Sequence, residues 1–530
     1  MLVQMNMNGV VAPLADPGRP SVRRLIVVTV SMASFAFAAC YLHSFVFPDI
    51  PILPGGDAIG FVNDGARIVA GQLPYRDFFE MLPPGTPITY ALLIKSFGLF
   101  NWIPFLTMAV LAAITVALMT IASARIMHGY AALLPALLFT GFILLGSADA
   151  THHWFSTVLV LAATLALFDD ATLPRAIVAG VCCGAAACFT QSKGFTAMLG
   201  LVIYLIWQSW GDKALARECW RRCLILCAAA LFLFAAVNSY FIATAGLSRW
   251  FYCLVTYPLL YYPAPSLNNL GVLTYGFRWH RSTAAWIAFP FVYGTVPGVY
   301  LVFLFLTRRR LRHHSPQIHD RLMLVTLIGI AMFLAVASSP SVKRLSTVSP
   351  PAMILLAWLL DRPGRAVKLS RASLGTLAVV VALAVALRTQ TRSLDRLDLP
   401  AGRTAFTDRT VFDEYSWVRT HTRPGQFFWG MPLFYLPFHL ENPAEIQAVD
   451  TSEYTRPQDV SGLIQALQLH KVPMIVLASE QKYPLTIELP SNHLAPFVAF
   501  LRAHYRLTKA FENGDEVWET VDSLRGSSQP

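Results

Sequence analysis

Residues 55–85, GGDAIGFVNDGARIVAGQLPYRDFFEMLPPG, gather the carboxylates Asp57, Asp64, Asp77 and Glu80 with Arg67 and Arg76 in a run rich in Gly, Pro and aromatic residues. Polar loops of that length generally carry function. Ile59, Val62, Ala66 and Val69 fall on one helical face, so the spacing predicts a short amphipathic helix over 58–70, lying on the membrane surface or docked on a helical bundle, with Asp57 at its N-cap. A carboxylate there has two uses. It can accept backbone N–H bonds at the helix start, or act as a general base that draws a proton from an acceptor hydroxyl. Capping would stabilise the anion and so lower its basicity. Asp64 and Arg67, three residues apart, read as a surface ion pair, and Arg76 is placed to pair locally with Asp77 or Glu80.

The surrounding elements are membrane helices. Of 530 residues 55% are hydrophobic and 13% charged, about half the charged fraction of an ordinary soluble domain. Apolar runs fall at 25–47, 101–124, 129–147, 153–168, 175–191, 194–210, 222–246, 285–306, 322–339, 345–360 and 372–388, which predicts a polytopic α-helical membrane protein of about eleven transmembrane helices. Threading them with the N-terminus inside puts 18 basic residues on the inner side and 9 in the opposite loops, so topology explains the net charge of +11 better than nucleic acid does. The threading makes 48–98 the first external loop. It requires a tight turn at Gln191-Ser192-Lys193 and leaves 389–530 outside as an α/β domain beyond the transmembrane region 1–388. In that tail, helical patterns at 411–421, 460–470 and 493–505 alternate with strand-like runs at 426–430, 473–478 and 516–521.

An acidic residue just after the first transmembrane helix, a following helix and then GQLPYRDFFEMLPPG resemble the first loop of GT-C membrane glycosyltransferases, the class of protein O-mannosyltransferases, aminoarabinose transferases and lipopolysaccharide-core galacturonosyltransferase-like proteins. The resemblance is specific in 55–85 and extends as a layout over roughly 20–390. It implies inverting transfer of a sugar from a polyprenyl-phosphate donor to a hydroxyl of a lipid, glycan or protein at the external face, with Asp57 as general base and no cofactor or metal. Relatives often carry Asp-Glu where this chain has Asp57-Ala58, so Asp64 and Asp77 stand as alternatives.

A departing phosphate needs cationic partners. Lys193 in CFTQSKGF, Lys343 and Arg344 in SSPSVKRLSTVSPP, and Arg76 are the candidates, against snorkelling for Lys193, a solvated turn for Lys343 and Arg344, and local pairing for Arg76. Asp149, His152 and His153 in GSADATHHWF offer an acceptor or phosphate contact. A metal is disfavoured because adjacent histidines point apart on a helix and the ligand count is short. Tyr75 lies within the first loop. The aromatic stretch 247–284, with Tyr261, Tyr262, Tyr275 and Trp279, reads either as an interfacial belt or as a cover that holds sugar or isoprenoid, with Arg278, His280 and Arg281 facing phosphate or anionic lipid. Cys219, Cys223 and Cys227 share a helix face without ligand partners and read as packing.

No Gly-rich phosphate loop, HExxH or nucleophile elbow is present. The rival classes are a transporter or lipid flippase, which would place ionisable residues along a midplane path, and a non-catalytic assembly partner. The absence of Asn-X-Ser/Thr agrees with a bacterial inner membrane, its active site facing the periplasm or exterior.

Overall fold

The computed structural model describes residues 21–53, 55–210, 213–273, 283–310, 316–361, 365–391, 395–450, 452–478 and 493–521. Tyr275, Arg278, Trp279, His280 and Arg281 of the aromatic stretch lie outside them.

Helix α1 (Val22–Ser44) leads through a two-stranded ladder, β1 (Phe45–Val46) with β2 (Ile50–Pro51), into α2 (Ala58–Val69) and α3 (Gly85–Phe97). The amphipathic pattern is realised over most of α2: Ile59 and Val62 are essentially inaccessible, Ala66 is partly buried, and Val69 at the helix end is exposed. It docks on α3, where Gly65 lets the two backbones meet. A Cβ at Gly65 would come within 2.8 Å of Tyr90 Cβ and 2.9 Å of Ala91 N.

The bundle continues as α4 (Ile103–Ala124), α5 (Leu134–Phe139), α6 (His152–Ala166), α7 (Leu173–Phe189), α8 (Gln191–Gln208), α9 (Lys213–Ala245), the short α10 (Leu247–Phe251) and α11 (Tyr257–Leu260), then α12 (Thr283–Arg310), α13 (Pro316–Leu334), α14 (Val342–Val348), α15 (Pro350–Leu360) and α16 (Arg365–Thr391). Helical structure occupies every one of the apolar stretches, yet among the described residues only five helices are long and apolar enough to cross a membrane by length and composition. The π and 3-10 turns at 140–147 and the prolines at 350–351 break two of the other runs. A count of eleven spans therefore also draws on helices below that threshold, among them His152–Ala166, Leu173–Phe189 and Pro350–Leu360. The join expected at Gln191-Ser192-Lys193 is displaced: only Thr190, in extended conformation, separates α7 from α8, and the three residues form the first turn of α8. Gly194 makes this possible, since a Cβ there would lie 2.2 Å from Ala187 N.

Near the C-terminal ends of α4 and α6, Arg321 donates to Phe168 O and Arg125 O and pairs with Asp169 at 2.8 Å, so a buried guanidinium ties two loops to α13. The C-terminal region begins with a hairpin of β3 (Asp395–Leu399) and β4 (Gly402–Phe406), followed by α17 (Arg409–His421). A four-stranded mixed sheet follows, from β5 (Trp429–Gly430), β6 (Met474–Leu477), β7 (Tyr505–Ala510) and β8 (Glu516–Thr520) in the order β5-β6-β8-β7, with α18 (Pro457–Leu469) and α19 (Ala495–His504). The helix and strand patterns of the tail fall on these elements; β3, β4 and β7 went unread because they are short or exposed and polar on most positions.

The close approach at Gly194 gives a direct test. Gly194→Ala forces α8 off the end of α7, with an overpacking cost of roughly 1–3 kcal/mol, and should lower the thermal midpoint in detergent, whereas Gly298→Ala, with open space around its Cβ position, should leave it unchanged.

Candidate functional site

The start of α2 is not capped by its own residue. Asp57 makes no side-chain capping bond; instead the carboxylate of Asp149, from the loop before α6, accepts Asp57 N and Ala58 N, both at 3.1 Å. Gly56, at φ +101°, permits the approach, since a Cβ there would sit 2.4 Å from Asp149 Oδ2. Lys343 Nζ stands 3.5 Å from that oxygen. Burial pushes the Asp149 carboxyl up, against Lys343 and the two backbone N–H groups that hold it down. The consequence is that Asp57 keeps an exposed carboxylate without an ion pair among the described residues.

Asp57 stands where two cavities meet, and Phe61, Met81 and Leu82 complete the shared wall. The first cavity, about 830 Å³, runs between the bundle and the aromatic stretch and carries the cationic groups. Arg344, at the start of α14, donates to Ser339 O at 3.1 Å and to the Tyr262 hydroxyl, and its guanidinium also lies over the Tyr262 ring. No carboxylate pairs with Arg344 among the described residues. Lys343, 59% exposed at its side chain, lines the same cavity, as do His152 and His153. The remaining lining is largely apolar, with Leu254, Val255, Pro258 and Leu259.

Lys193 does not reach this cavity. It is fully buried, and its ammonium donates to His153 O at 3.0 Å and to Thr157 Oγ1 and Thr347 Oγ1, each at 3.1 Å. That excludes snorkelling and also direct phosphate contact in this conformation; all three N–H bonds are used in holding α6, α8 and α14 together behind the cavity wall. His152 and His153 also depart from expectation. Their rings lie 3.9 Å apart, centroid to centroid, rather than pointing apart, and His152 Nδ1 meets Thr190 Oγ1 at 2.8 Å. Two buried polar atoms of residues on this wall, His153 Nδ1 and Gln191 Oε1, have no hydrogen-bond partner among the described residues.

The second cavity, about 500 Å³, lies between α2, the 79–82 segment and the C-terminal region, which contributes Gln447, Tyr454 and Asp459. Asp64 is here, buried rather than on the surface. It accepts a 2.7 Å bond from Gln447 Nε2 and shares a hydrogen bond with Glu80. Burial pushes both carboxyls up, Asp64 to about 6; Asp64 raises Glu80 further, while the hydrogen bond from Glu80 holds Asp64 down. Arg67 is not a surface partner of Asp64: its guanidinium donates to Gln72 and to Ala444 O and lies 4.5 Å from the Phe78 ring.

Other candidates shape the loop instead of lining a cavity. Tyr75, buried with φ +68°, donates to Leu82 O at 2.6 Å. Arg76 pairs with Asp77 at 2.7 Å, and Asp77 also accepts Leu73 N, so the local pairing holds and Arg76 faces solvent. Tyr261 lies under the Arg456 guanidinium at 3.9 Å. Sequence reasoning missed Gln447, Tyr454 and Asp459, whose place depends on a fold-back of more than 350 residues that no local pattern encodes.

No family model and no curated protein sequence matches the chain. Solved structures do. ArnT from Cupriavidus metallidurans bound to undecaprenyl phosphate superposes with a TM-score of 0.59 at 15% identity, over 95% of this chain and 99% of that one. Archaeal oligosaccharyltransferase AglB from Archaeoglobus fulgidus, in complex with an inhibitory peptide and a dolichol-phosphate, gives 0.52 at 12% identity, over 87% and 70%. This chain has the GT-C fold. The match to ArnT takes in nearly the whole chain, so the C-terminal region is part of what is shared with that GT-C structure.

The Asp64–Glu80 pair makes stability depend on pH. Because these carboxyls hold their proton to higher pH in the folded chain than in the unfolded one, folding binds protons between about pH 4 and 6, and stability falls as pH rises through that range. Glu80→Gln should flatten the decline of the thermal midpoint relative to wild type; an unchanged slope would contradict the shared-proton description.

Proposed function

We propose that this chain is an integral membrane glycosyltransferase that moves a sugar from a polyprenyl-phosphate donor to a hydroxyl of a lipid, glycan or protein acceptor, at the external or periplasmic face of a bacterial inner membrane and with inversion. One observation carries the reading: an open carboxylate, Asp57, stands at the junction of a cationic, partly apolar cavity and a second, polar one. The fold shared with proteins whose structures hold undecaprenyl phosphate and dolichol-phosphate supports it.

In this reading the donor lies in the first cavity. Its phosphate faces Arg344 and Lys343, and its isoprenoid runs along Leu254, Val255, Pro258 and Leu259. Tyr262 holds the Arg344 guanidinium in place, while His152 and His153 face the sugar. The acceptor hydroxyl enters from the second cavity. Its oxygen forms a bond to the anomeric carbon as the bond from that carbon to the phosphate oxygen breaks; the electron pair leaves with the phosphate, and the hydroxyl proton passes to Asp57. The departing phosphate is a good leaving group whose growing charge the two cations stabilise, so no acid need protonate it. Lys193 is a positioning residue that fixes His153 and Thr347. Arg76, Tyr75 and Asp77 shape the loop, and Asp64 belongs to the acceptor side.

Purified protein in nanodiscs, offered a panel of polyprenyl-phosphate sugars with cell-envelope extract as acceptor, should release polyprenyl phosphate only when acceptor is present. Asp57→Asn should cut release by about 100-fold or more with an unchanged thermal midpoint. Release that survives Asp57→Asn would remove Asp57 from the base role, and no release from any donor would favour transport or a non-catalytic partner.

A further inference from the structure

The two cavities that meet at Asp57 differ in their charged groups. The first carries both signs, with Lys343 and Arg344 beside Asp57 and Asp149. The second has Asp57, Asp64, Glu80 and Asp459 in its wall and, among the described residues, no lysine, arginine or histidine. Cations do lie nearby, but they are engaged elsewhere: Arg249 pairs with Glu445 at 2.6 Å, Arg456 with Glu453 at 2.7 Å, and Arg67 is held behind the wall by Gln72 and Ala444 O. None of the four wall carboxyls forms an ion pair with a described residue. Asp64 accepts from Gln447, Glu80 from Leu82 N at 2.9 Å, and Asp459 from Arg456 N at 2.8 Å, all uncharged or backbone donors.

We infer that the second cavity selects its acceptor by charge: the moiety beside the reacting hydroxyl is uncharged or bears an ammonium group, and phosphorylated or carboxylated moieties are excluded. This rests on the reading of that cavity as the acceptor side. An anionic group placed there would face carboxyls in a partly dehydrated space with no free counter-cation, whereas an ammonium would meet acceptor oxygens that are already in place. The donor phosphate is favoured in the first cavity by the same difference, since Lys343 and Arg344 line that one and no described cation lines the second. Gln447 is the specificity-determining position. Among the described residues it is the amide that reaches Asp64 from the C-terminal side, and its Oε1 is 3.2 Å from the Cβ position of Gly60.

The test measures binding without requiring transfer. Full-length protein in nanodiscs, with undecaprenyl phosphate present throughout to occupy the first cavity, is titrated with methyl glucoside, methyl glucosaminide and methyl glucuronide, and the shift of the thermal midpoint is read for each. Wild type should bind the glucosaminide at least as tightly as the glucoside and the glucuronide about tenfold more weakly, while Gln447→Lys should close or reverse that gap. Equal affinity for all three, no shift with any, or preference for the glucuronide in wild type would overturn the inference. A protein that ranks these ligands as expected yet transfers no sugar would leave the charge selection standing and sink the transferase reading.

Discussion

The carboxylate of Asp149 holds the site open. A helix start exposes backbone N–H groups that need an acceptor, and the residue in the N-cap position, Asp57, would ordinarily supply it. Asp149 arrives from a loop 92 residues later and accepts both N–H bonds itself. Only a glycine at position 56 leaves room for it. Asp57 is thereby freed from capping, and its carboxylate stays exposed. Lys343 stands 3.5 Å from the same carboxylate and lines the cavity that Asp57 borders, so Asp149 links the open carboxylate to one of the cations.

A second constraint comes from burying charge within the bundle. An ammonium in an apolar surrounding survives only if its donors are matched. Lys193 meets three oxygens at 3.0–3.1 Å, and those oxygens belong to the elements that form the wall of the cationic cavity. The charge thus acts as a rivet. The Asp64–Glu80 pair solves the opposite problem by sharing a proton, which ties α2 to the 79–82 segment, while Gln447 extends the tie to the C-terminal region. Both devices exchange solvation for fixed geometry around Asp57.

The sequence carried the helix-rich architecture because apolar runs of bilayer length are a strong local signal, and it carried α2 because its apolar positions recur at helical spacing. It also isolated 55–85 as the chemical segment. What it could not carry were partners set by tertiary contact. Asp64 looked like a surface residue since only Arg67 was near it in sequence, yet its partners are Glu80 and Gln447. Lys193 read as a phosphate ligand from its place at a helix end near apolar surroundings and from the family resemblance, and the three oxygens that bury it come from other helices. Adjacent histidines were expected to diverge; the packing of α6 against its neighbours instead brings their rings together.

The central claim, that Asp57 faces a donor headgroup held by Lys343 and Arg344, is tested most directly by an experimental structure of the protein with a non-hydrolysable polyprenyl-phosphonate sugar. The account predicts the phosphonate within hydrogen-bonding distance of Arg344 or Lys343, the isoprenoid along the 254–259 wall and the Asp57 carboxylate on the side of the anomeric carbon away from the phosphonate. A headgroup lodged among Asp64, Glu80 and Asp459, or at the helix ends near Arg321, would contradict it.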